Sequence, residues 1–225
     1  MLANSPLMQW HQVAGAEFAD HGIGQVVSRY ENESVPALGI FDLSCCERIG
    51  FKGADTESWL KDQGVSLPSQ PNMACKDGQF GTVLRLSQTE FWVLDNPAKS
   101  SSISSLREAS IQAEREGVRT YLLERNHSHS WFCLSGQELP EMMSKVCAVD
   151  LRDHKFGSWQ IAQTSVARLN AVVVREAHSG LPIFHILSDT TAAEFMWSSL
   201  LDAMQEFDGA PIGFQQFQQV IESAL

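Results

Sequence analysis

The sequence predicts an α+β fold built from two similar halves, and three observations predict it. A strand–glycine–helix pattern occurs twice: RIGFKGADTESWL places Ile49, Phe51, Gly53, Trp59 and Leu60 at the same offsets at which SWFCLSGQELPEMM places Phe132, Leu134, Gly136, Met142 and Met143. A hairpin pattern follows each motif, and an amphipathic helical pattern follows each hairpin. Two copies of one β-α-β-β-α-type unit explain the order; two similar local motifs of separate origin are the alternative, and either gives antiparallel sheets covered by helices.

Residues 1–40 carry the weakest pattern, with HQVAGAEFADHG reading as helix or turn and ESVPALG as a linker broken by Pro36 and Gly39. In RIGFKG, Ile49 and Phe51 alternate with small or polar neighbours, which predicts a strand stopped by Gly53. Asp55 is placed to cap the helix carrying Trp59 and Leu60, which Gly64 ends. GTVLRLSQTEFWVLDNP reads as strands over 82–86 and 91–94 joined by SQTE, with Pro97 closing the block. Behind KSSSISS, the stripe of Ile103, Leu106, Ala109 and Ala113 predicts a helix running to Gly117.

The second half starts with a strand over 119–124, RTYLLE. SVARLNAVVVRE and PIFHILS form its hairpin through AHSGL, and TTAAEFMWSSLLDAMQEFDG is the clearest helical pattern, with Ala193, Trp197, Leu200, Met204 and Phe207 on one face. Thr191 and Glu194 have capping-box spacing and Gly209 supplies the stop. A last helix is expected from Pro211 through Phe214, Phe217, Ile221 and Ala224. The domain reading is 1–118 for the N-terminal segment and first lobe, and 119–225 for the second lobe with its closing helix, in an arrangement that allows the lobes to interlock.

Charge narrows the function. A formal net charge of −11 with 16 scattered basic residues argues against nucleic acid and anionic membranes, which demand clustered Lys and Arg. No apolar run reaches the ~18 residues of a membrane span, and MLANSPLMQWHQV lacks the basic start and apolar core of a secretory signal. A cytoplasmic location is the expectation, with the five cysteines reduced.

The adjacent Cys45 and Cys46 do not suit a thiol or metal site, because neighbours on an extended chain point to opposite faces. One is expected to pack and the other to be partly exposed. His127 and His129 have the His-x-His spacing of a metal pair, yet His154, His178 and His185 supply no third ligand at recognisable spacing. No metal site is expected. Gly-x-Ser-x-Gly, Gly-x-Gly-x-x-Gly and the Walker phosphate loop are absent, and the carboxylate pairs Glu31/Glu33 and Glu114/Glu116 lie in solvated contexts. Among the six tryptophans, Trp59 and Trp197 sit on apolar helix faces, whereas Trp92 on a hairpin strand stays open as a stacking platform.

FDLSCCERIGFKGADTESWL resembles the opening of the folate-binding fold shared by the glycine-cleavage aminomethyltransferase (T-protein) and the γ subunit of heterotetrameric sarcosine oxidase. VSLPSQPN followed by VLRLSQTEFWVLD is more similar to the γ subunit, and KVCAVDL, VARLNAVVVRE and AEFMWSSLLDAM continue the likeness through residues 11–223. The resemblance implies two ferredoxin-like β-α-β-β-α-β lobes around a central pocket that holds tetrahydrofolate in the catalytic members. It also implies that the C-terminal barrel domain is missing, since the chain stops near APIGF, and that the cysteines stand in a structural turn.

The departures bear on activity. The T-protein carries an acid just before the first hairpin strand; here that neighbourhood is GQFGTVL, with Asp77 the nearest acid. Its glycine-tyrosine-threonine-glycine-glutamate stretch is replaced by REAHSGLP, and the Lys-Gly-Cys-Tyr-type motif of an iron–sulfur-assembly branch is absent. Asn96 in VLDN falls where the family places a pocket asparagine, and Asp95, Trp92 and Asp77 complete the expected cofactor-side residues. The resemblance thus implies a non-catalytic or ancillary tetrahydrofolate-binding-fold protein of one-carbon metabolism, sarcosine oxidase γ-subunit-like, whose partner is a larger flavin-containing oxidase subunit or one-carbon enzyme. The rivals are a short tetrahydrofolate-dependent aminomethyltransferase and a partner-binding regulator with an empty pocket.

Overall fold

A computed structural model describes residues 4–21, 23–31, 36–97, 102–176 and 180–223. The chain falls into two compact units, one formed by Cys46–His127 and the other by Met1–Cys45 with Ser128–Leu225. No helix among the described residues is long and apolar enough to cross a membrane.

In the continuous unit the elements run β4 (Arg48–Lys52), α2 (Thr56–Asp62), β5 (Met73–Asp77), β6 (Gly81–Arg85), β7 (Glu90–Leu94), α3 (Ile103–Arg115) and β8 (Tyr121–Glu124). They form an antiparallel five-stranded sheet ordered β5-β6-β7-β4-β8. The two-residue alternation sends Ile49, Phe51, Val83, Phe91 and Val93 into one core with Trp59, Leu60, Ile103 and Leu106 of the helices. Burial of each large apolar side chain contributes about 1.5–3 kcal/mol.

The other unit contains α1 (Met8–Val13), β1 (Ala16–His21), β2 (Gly24–Tyr30), β3 (Leu38–Asp42), β9 (His129–Ser135), α4 (Leu139–Met143), β10 (Ile161–Val166), β11 (Leu169–Glu176), β12 (Ile183–Asp189), α5 (Ala193–Met204), β13 (Gly209–Pro211) and α6 (Phe214–Ser223). Its six-stranded sheet is ordered β10-β11-β12-β9-β3-β13, antiparallel apart from the β13–β3 pair, while β1 and β2 form a separate hairpin. Phe132, Leu134, Phe184 and Ile186 pack with Met142, Met143, Trp197 and Leu200.

The repeated sequence motif therefore has a repeated structure: β9, α4, β10, β11, β12 and α5 follow the order of β4, α2, β5, β6, β7 and α3. The strand ahead of each repeat joins the sheet of the other. β3 precedes β4 yet pairs with β9, and β8 precedes β9 yet pairs with β4. The units divide at 45/46 and 127/128 because β8, which follows α3 in the chain, hydrogen-bonds to β4.

Several local expectations give way to specific contacts. Asp55 sits ahead of α2, but its carboxylate takes the backbone N–H, Nε and Nη2 of Arg119 and makes no cap hydrogen bond. Ahead of α5 the cap is Asp189, whose carboxylate accepts from the Thr191 N–H and hydroxyl in a 3-10 turn, and Thr191 with Glu194 forms no capping box. SVARLN is the end of β10, a left-handed Ala167–Arg168 turn with φ of 48° and 69°, and the start of β11, so it is not one strand. Left-handed Asp208, φ 50°, ends the helical region before Gly209, and Gly209 and Pro211 belong to β13, so the last helix starts later, at Phe214. In HQVAGAEFADHG, expected as helix or turn, α1 ends at Val13 and β1 follows as a strand, while the stretch expected as linker, ESVPALG, runs into β3 at Leu38. Glu33, His178 and Ala224, the AHS of the second hairpin turn and part of KSSSISS lie outside the described residues.

Gly53 and Gly136 occupy equivalent ends of β4 and β9, with φ of 158° and 147°. A Cβ on Gly53 would lie 1.9 Å from the Arg119 carbonyl oxygen, and one on Gly136 would lie 2.5 Å from that of Ala37. Both glycines let the chain ahead of the exchanged strand cross close by. We expect Gly53→Ala and Gly136→Ala each to lower unfolding free energy by about 2 kcal/mol or more, measured by urea denaturation. An effect below ~0.5 kcal/mol at both sites would contradict this packing.

Candidate functional site

The five-stranded sheet brings three of the four expected cofactor-side residues to one end. Asp77 pairs with Gly81 across the β5–β6 turn, and Gly81 lies against the backbone of Leu94, Asp95 and Asn96 at the end of β7. Gly81 has φ of 100°, and a Cβ there would stand 2.3 Å from the Leu94 carbonyl oxygen. Its hydrogen count is a steric requirement.

Asp77 is 8% exposed, and its carboxylate accepts the backbone N–H groups of Ser66 at 2.8 Å, Gln79 at 2.8 Å and Phe80 at 2.9 Å. Burial alone would raise its pKa; the Ser66, Phe80 and Gln79 hydrogen bonds together outweigh that and hold it below the ordinary carboxylate value. Asp77 thus organises the turn. Asp95 is buried, its N–H donating to the Glu47 carbonyl at 2.9 Å, and Asn96 is half-buried beside it.

Trp92, the fourth residue, lies on the sheet face away from α2 and α3, between Gly50 of β4 and Leu84 of β6. It is 4% exposed, its indole N–H donates to Glu90 Oε1 at 3.1 Å, and the Arg125 guanidinium covers its ring at 4.5 Å from the centroid. An intramolecular cation occupies the stacking position that the sequence left open. Arg125 itself went unremarked in the sequence, where it follows YLLE without any motif; extending the alternation of β8 by one residue places it on the face of Leu123.

The cysteines are settled by burial. Cys45 and Cys46 are 1% and 0% exposed, so both pack, contrary to the expectation of one exposed thiol. They stand in the segment linking β3 to β4, where Arg48, 1% exposed, donates from Nη1 to the Cys46 carbonyl at 2.7 Å and from Nη2 to the Asn126 carbonyl at 2.8 Å. All five cysteines are free thiols. Burial, with Asp77 nearby, pushes the Cys75 thiol up to about 11, which leaves it protonated at neutral pH. Among the described residues no three His, Cys, Asp or Glu side chains gather to hold a metal ion.

Two buried polar networks in the other unit were not foreseen. Asp42 of the FDLS stretch accepts from His11 Nε2 at 3.0 Å, from the Ser44 N–H at 2.9 Å and from the Ser5 hydroxyl, and His11 Nδ1 meets the Tyr30 hydroxyl at 2.9 Å. Desolvation would raise the Asp42 pKa, but these hydrogen bonds, His11 foremost, keep it below the usual range. Trp131 donates from Nε1 to His185 Nδ1 at 3.1 Å, which leaves Nε2 to carry the proton toward Glu176 Oε2 at 2.8 Å. Sequence distances of 31 and 54 residues hid both pairs. A cavity of about 270 Å³ in this unit is lined by Gly39, Ser135, Gly136, Ile212, Gln216 and Val220, and none of the four expected residues reaches it.

Two mainly antiparallel sheets, each covered by helices and completed by the other repeat's leading strand, define the class as a two-lobe α+β protein of the aminomethyltransferase-like fold. Residues 72–220 match the family described as the GCVT N-terminal domain, and the chain belongs to that family. An aminomethyltransferase from Desulfitobacterium hafniense (strain Y51) is 23% identical over 229 residues, and a probable aminomethyltransferase from Haloarcula marismortui 24% over 215, covering 94% and 87% of this chain. The chain spans 61% and 58% of the length of these two relatives. Among solved structures, one similar chain is from the heterotetrameric sarcosine oxidase of Corynebacterium sp. U-96, determined in complex with pyrrole 2-carboxylate; it has a TM-score of 0.66, 22% identity, and coverage of 93% of this chain and 98% of that one. Another is the glycine cleavage system aminomethyltransferase T of Bartonella henselae, with a TM-score of 0.70, 16% identity, and coverage of 95% and 60%. At these identities the likeness establishes the fold.

Because the folded pKa of Asp77 lies below its unfolded value, its stabilising contribution is present above the ordinary carboxylate range near pH ~4 and is lost as pH falls through the folded pKa. Asp77→Asn should lower stability by about 1–3 kcal/mol at pH 7. The gap to wild type should narrow in urea titrations repeated below pH ~4. A constant gap across that range would contradict the role assigned to the carboxylate.

Proposed function

We propose that this chain is a tetrahydrofolate-binding-fold protein of one-carbon metabolism, similar to the γ subunit of sarcosine oxidase, with an ancillary role and no chemistry of its own. Its partner is a larger flavin-containing oxidase subunit or a one-carbon enzyme. The observation that carries the ancillary role is the β5–β6 turn. Asp77, the nearest acid to the first hairpin strand, gives its oxygens to three backbone N–H groups, and Gly81, where that strand starts, has no space for a side chain. General acid–base work at this place would need a carboxyl group directed at substrate. Support for a subunit role comes from the fold shared with a chain of a heterotetrameric oxidase.

In this reading Asn96 and Asp95 are the polar groups on the cofactor side, and Asp77 and Trp92 hold the turn and the sheet face from which they project. When bound, tetrahydrofolate would supply the one-carbon carrier, while the chain's part is to bind and orient it. The second reading, a short tetrahydrofolate-dependent aminomethyltransferase, is favoured by its curated relatives, which are aminomethyltransferases.

Titration of the purified chain with tetrahydrofolate, followed by tryptophan fluorescence and calorimetry, should give saturable binding that Asn96→Ala weakens about tenfold. Purification from the native host should bring down a flavin-containing larger chain. No saturation at high micromolar folate would leave only a partner-binding role. Recovery of the chain alone, with activity on a methylamine donor, would overturn the ancillary assignment.

A further inference from the structure

The cavity of about 270 Å³ in the unit that contains β3 and β9 is the feature the fold leaves unexplained. Gly39 and Ser135, which face each other across the β3–β9 pair, form part of its wall. A Cβ on Gly39 would stand 3.4 Å from Ser135 Oγ and 2.9 Å from Ile212 Cδ1, so the missing side chain leaves both groups open to the cavity. Ser135 is 7% exposed, yet its hydroxyl has no hydrogen-bond partner among the described residues.

The other buried serines are answered. Ser5 donates to Asp42, Ser44 accepts the Trp131 N–H at 3.1 Å, Ser110 donates to the Arg107 carbonyl at 2.8 Å, and the Ser130 and Ser188 hydroxyls meet at 3.1 Å. A buried hydroxyl without a partner carries the whole cost of leaving water, so the Ser135 hydroxyl calls for a polar group inside the cavity. None of the described side chains lining the cavity is charged or aromatic. Leu181, Ile212 and Val220 supply apolar surface, and the remaining polar side chains, Gln216 and Gln219 of α6, are carboxamides. Such a wall gives a carboxylate or an ammonium group no counter-ion once it leaves water, which excludes ionic ligands. The volume is far above the ~10–15 Å³ that one water needs and just below the ~300–1,000 Å³ of pockets for drug-sized ligands. A small aliphatic molecule with one neutral polar head fits these walls.

We propose that this cavity binds a small uncharged aliphatic carboxamide, whose head group pairs with the Ser135 hydroxyl and whose branched tail lies against Leu181, Ile212 and Val220. A hydroxyl donates one hydrogen bond and accepts others, and a carboxamide does both, so each satisfies the other. Tetrahydrofolate, with its flat ring system and two carboxylates, does not match these walls, and Asp77, Trp92, Asp95 and Asn96 belong to the other unit. The site stands apart from the folate reading, and a failed folate titration leaves it untouched.

The test is a nuclear magnetic resonance titration of the full-length, nitrogen-15-labelled protein with isovaleramide, and with isovalerate and isoamylamine as its carboxylate and ammonium counterparts. The Gly39, Ser135 and Gly136 backbone N–H signals should move saturably with the amide, at an affinity at least tenfold above that of either ion. Ser135→Ala should weaken amide binding about tenfold through loss of one hydrogen bond. Val220→Phe should abolish it by filling the cavity, with the Trp131 and Trp197 indole signals of both variants unchanged as the check on folding. Added tetrahydrofolate should leave the amide bound. No saturable movement at tens of millimolar amide, binding of either ion as tight as that of the amide, a Ser135→Ala response like that of wild type, or displacement of the amide by tetrahydrofolate would each overturn the proposal.

Discussion

The structure depends on a reciprocal exchange of strands. β3 leads one repeat and β8 leads the other, yet each hydrogen-bonds to the first strand of the other repeat, β9 and β4 respectively. An edge strand left without its neighbour exposes a row of unpaired amides and carbonyls. Each repeat on its own would carry one such edge and one orphan strand, so the halves must form together. The connections that make this work are short and heavily tied. Arg48 bonds to carbonyl groups in both crossing segments, at Cys46 and Asn126, and the Asn126 side chain accepts the Arg48 N–H at 2.7 Å.

That constraint explains the buried polar groups. FDLS looks like a turn with chemistry in it, but Asp42 ends β3 and gathers His11, Ser5 and the Ser44 N–H, fastening α1 to the exchanged strand. Cys45 and Cys46 follow a few residues later and are both buried. Trp131, which corresponds in the repeat to Arg48, does similar work at the other crossing: its backbone N–H bonds to the Ser44 hydroxyl at 3.1 Å and its carbonyl accepts from the Leu43 N–H at 2.8 Å. Charged and apolar residues thus take matching places under different contact chemistry.

Much of this was legible wherever the signal was local. Ile49, Phe51 and Gly53 marked β4 and its stop, Ile103, Leu106 and Ala113 marked α3, and Trp197, Leu200 and Met204 marked α5, because burial on one face imposes a period that survives in sequence. The repeat was visible from five matched positions. What stayed hidden was long-range pairing. β3 reads as linker because Leu38, Gly39 and Ile40 are buried on both faces and show no alternation. The cap at Asp55 and the capping box of Thr191 and Glu194 were misread because Arg119, 64 residues away, takes the Asp55 carboxylate, and Asp189 caps a 3-10 turn that starts at Thr190. Around the candidate site, Asp77, Asp95 and Asn96 lie near one another because a hairpin brings sequence neighbours together. Trp92 was read as an open platform because nothing in the sequence says that Arg125, on a different strand, would lie across it.

Strand exchange also limits how such a chain can be inherited. A recombination break between the repeats would give each descendant gene a sheet with a missing neighbour and a surplus strand with nowhere to pair. Length can change at the hairpin turns or beyond the outer edges, but the two repeats have to travel through evolution as one indivisible piece.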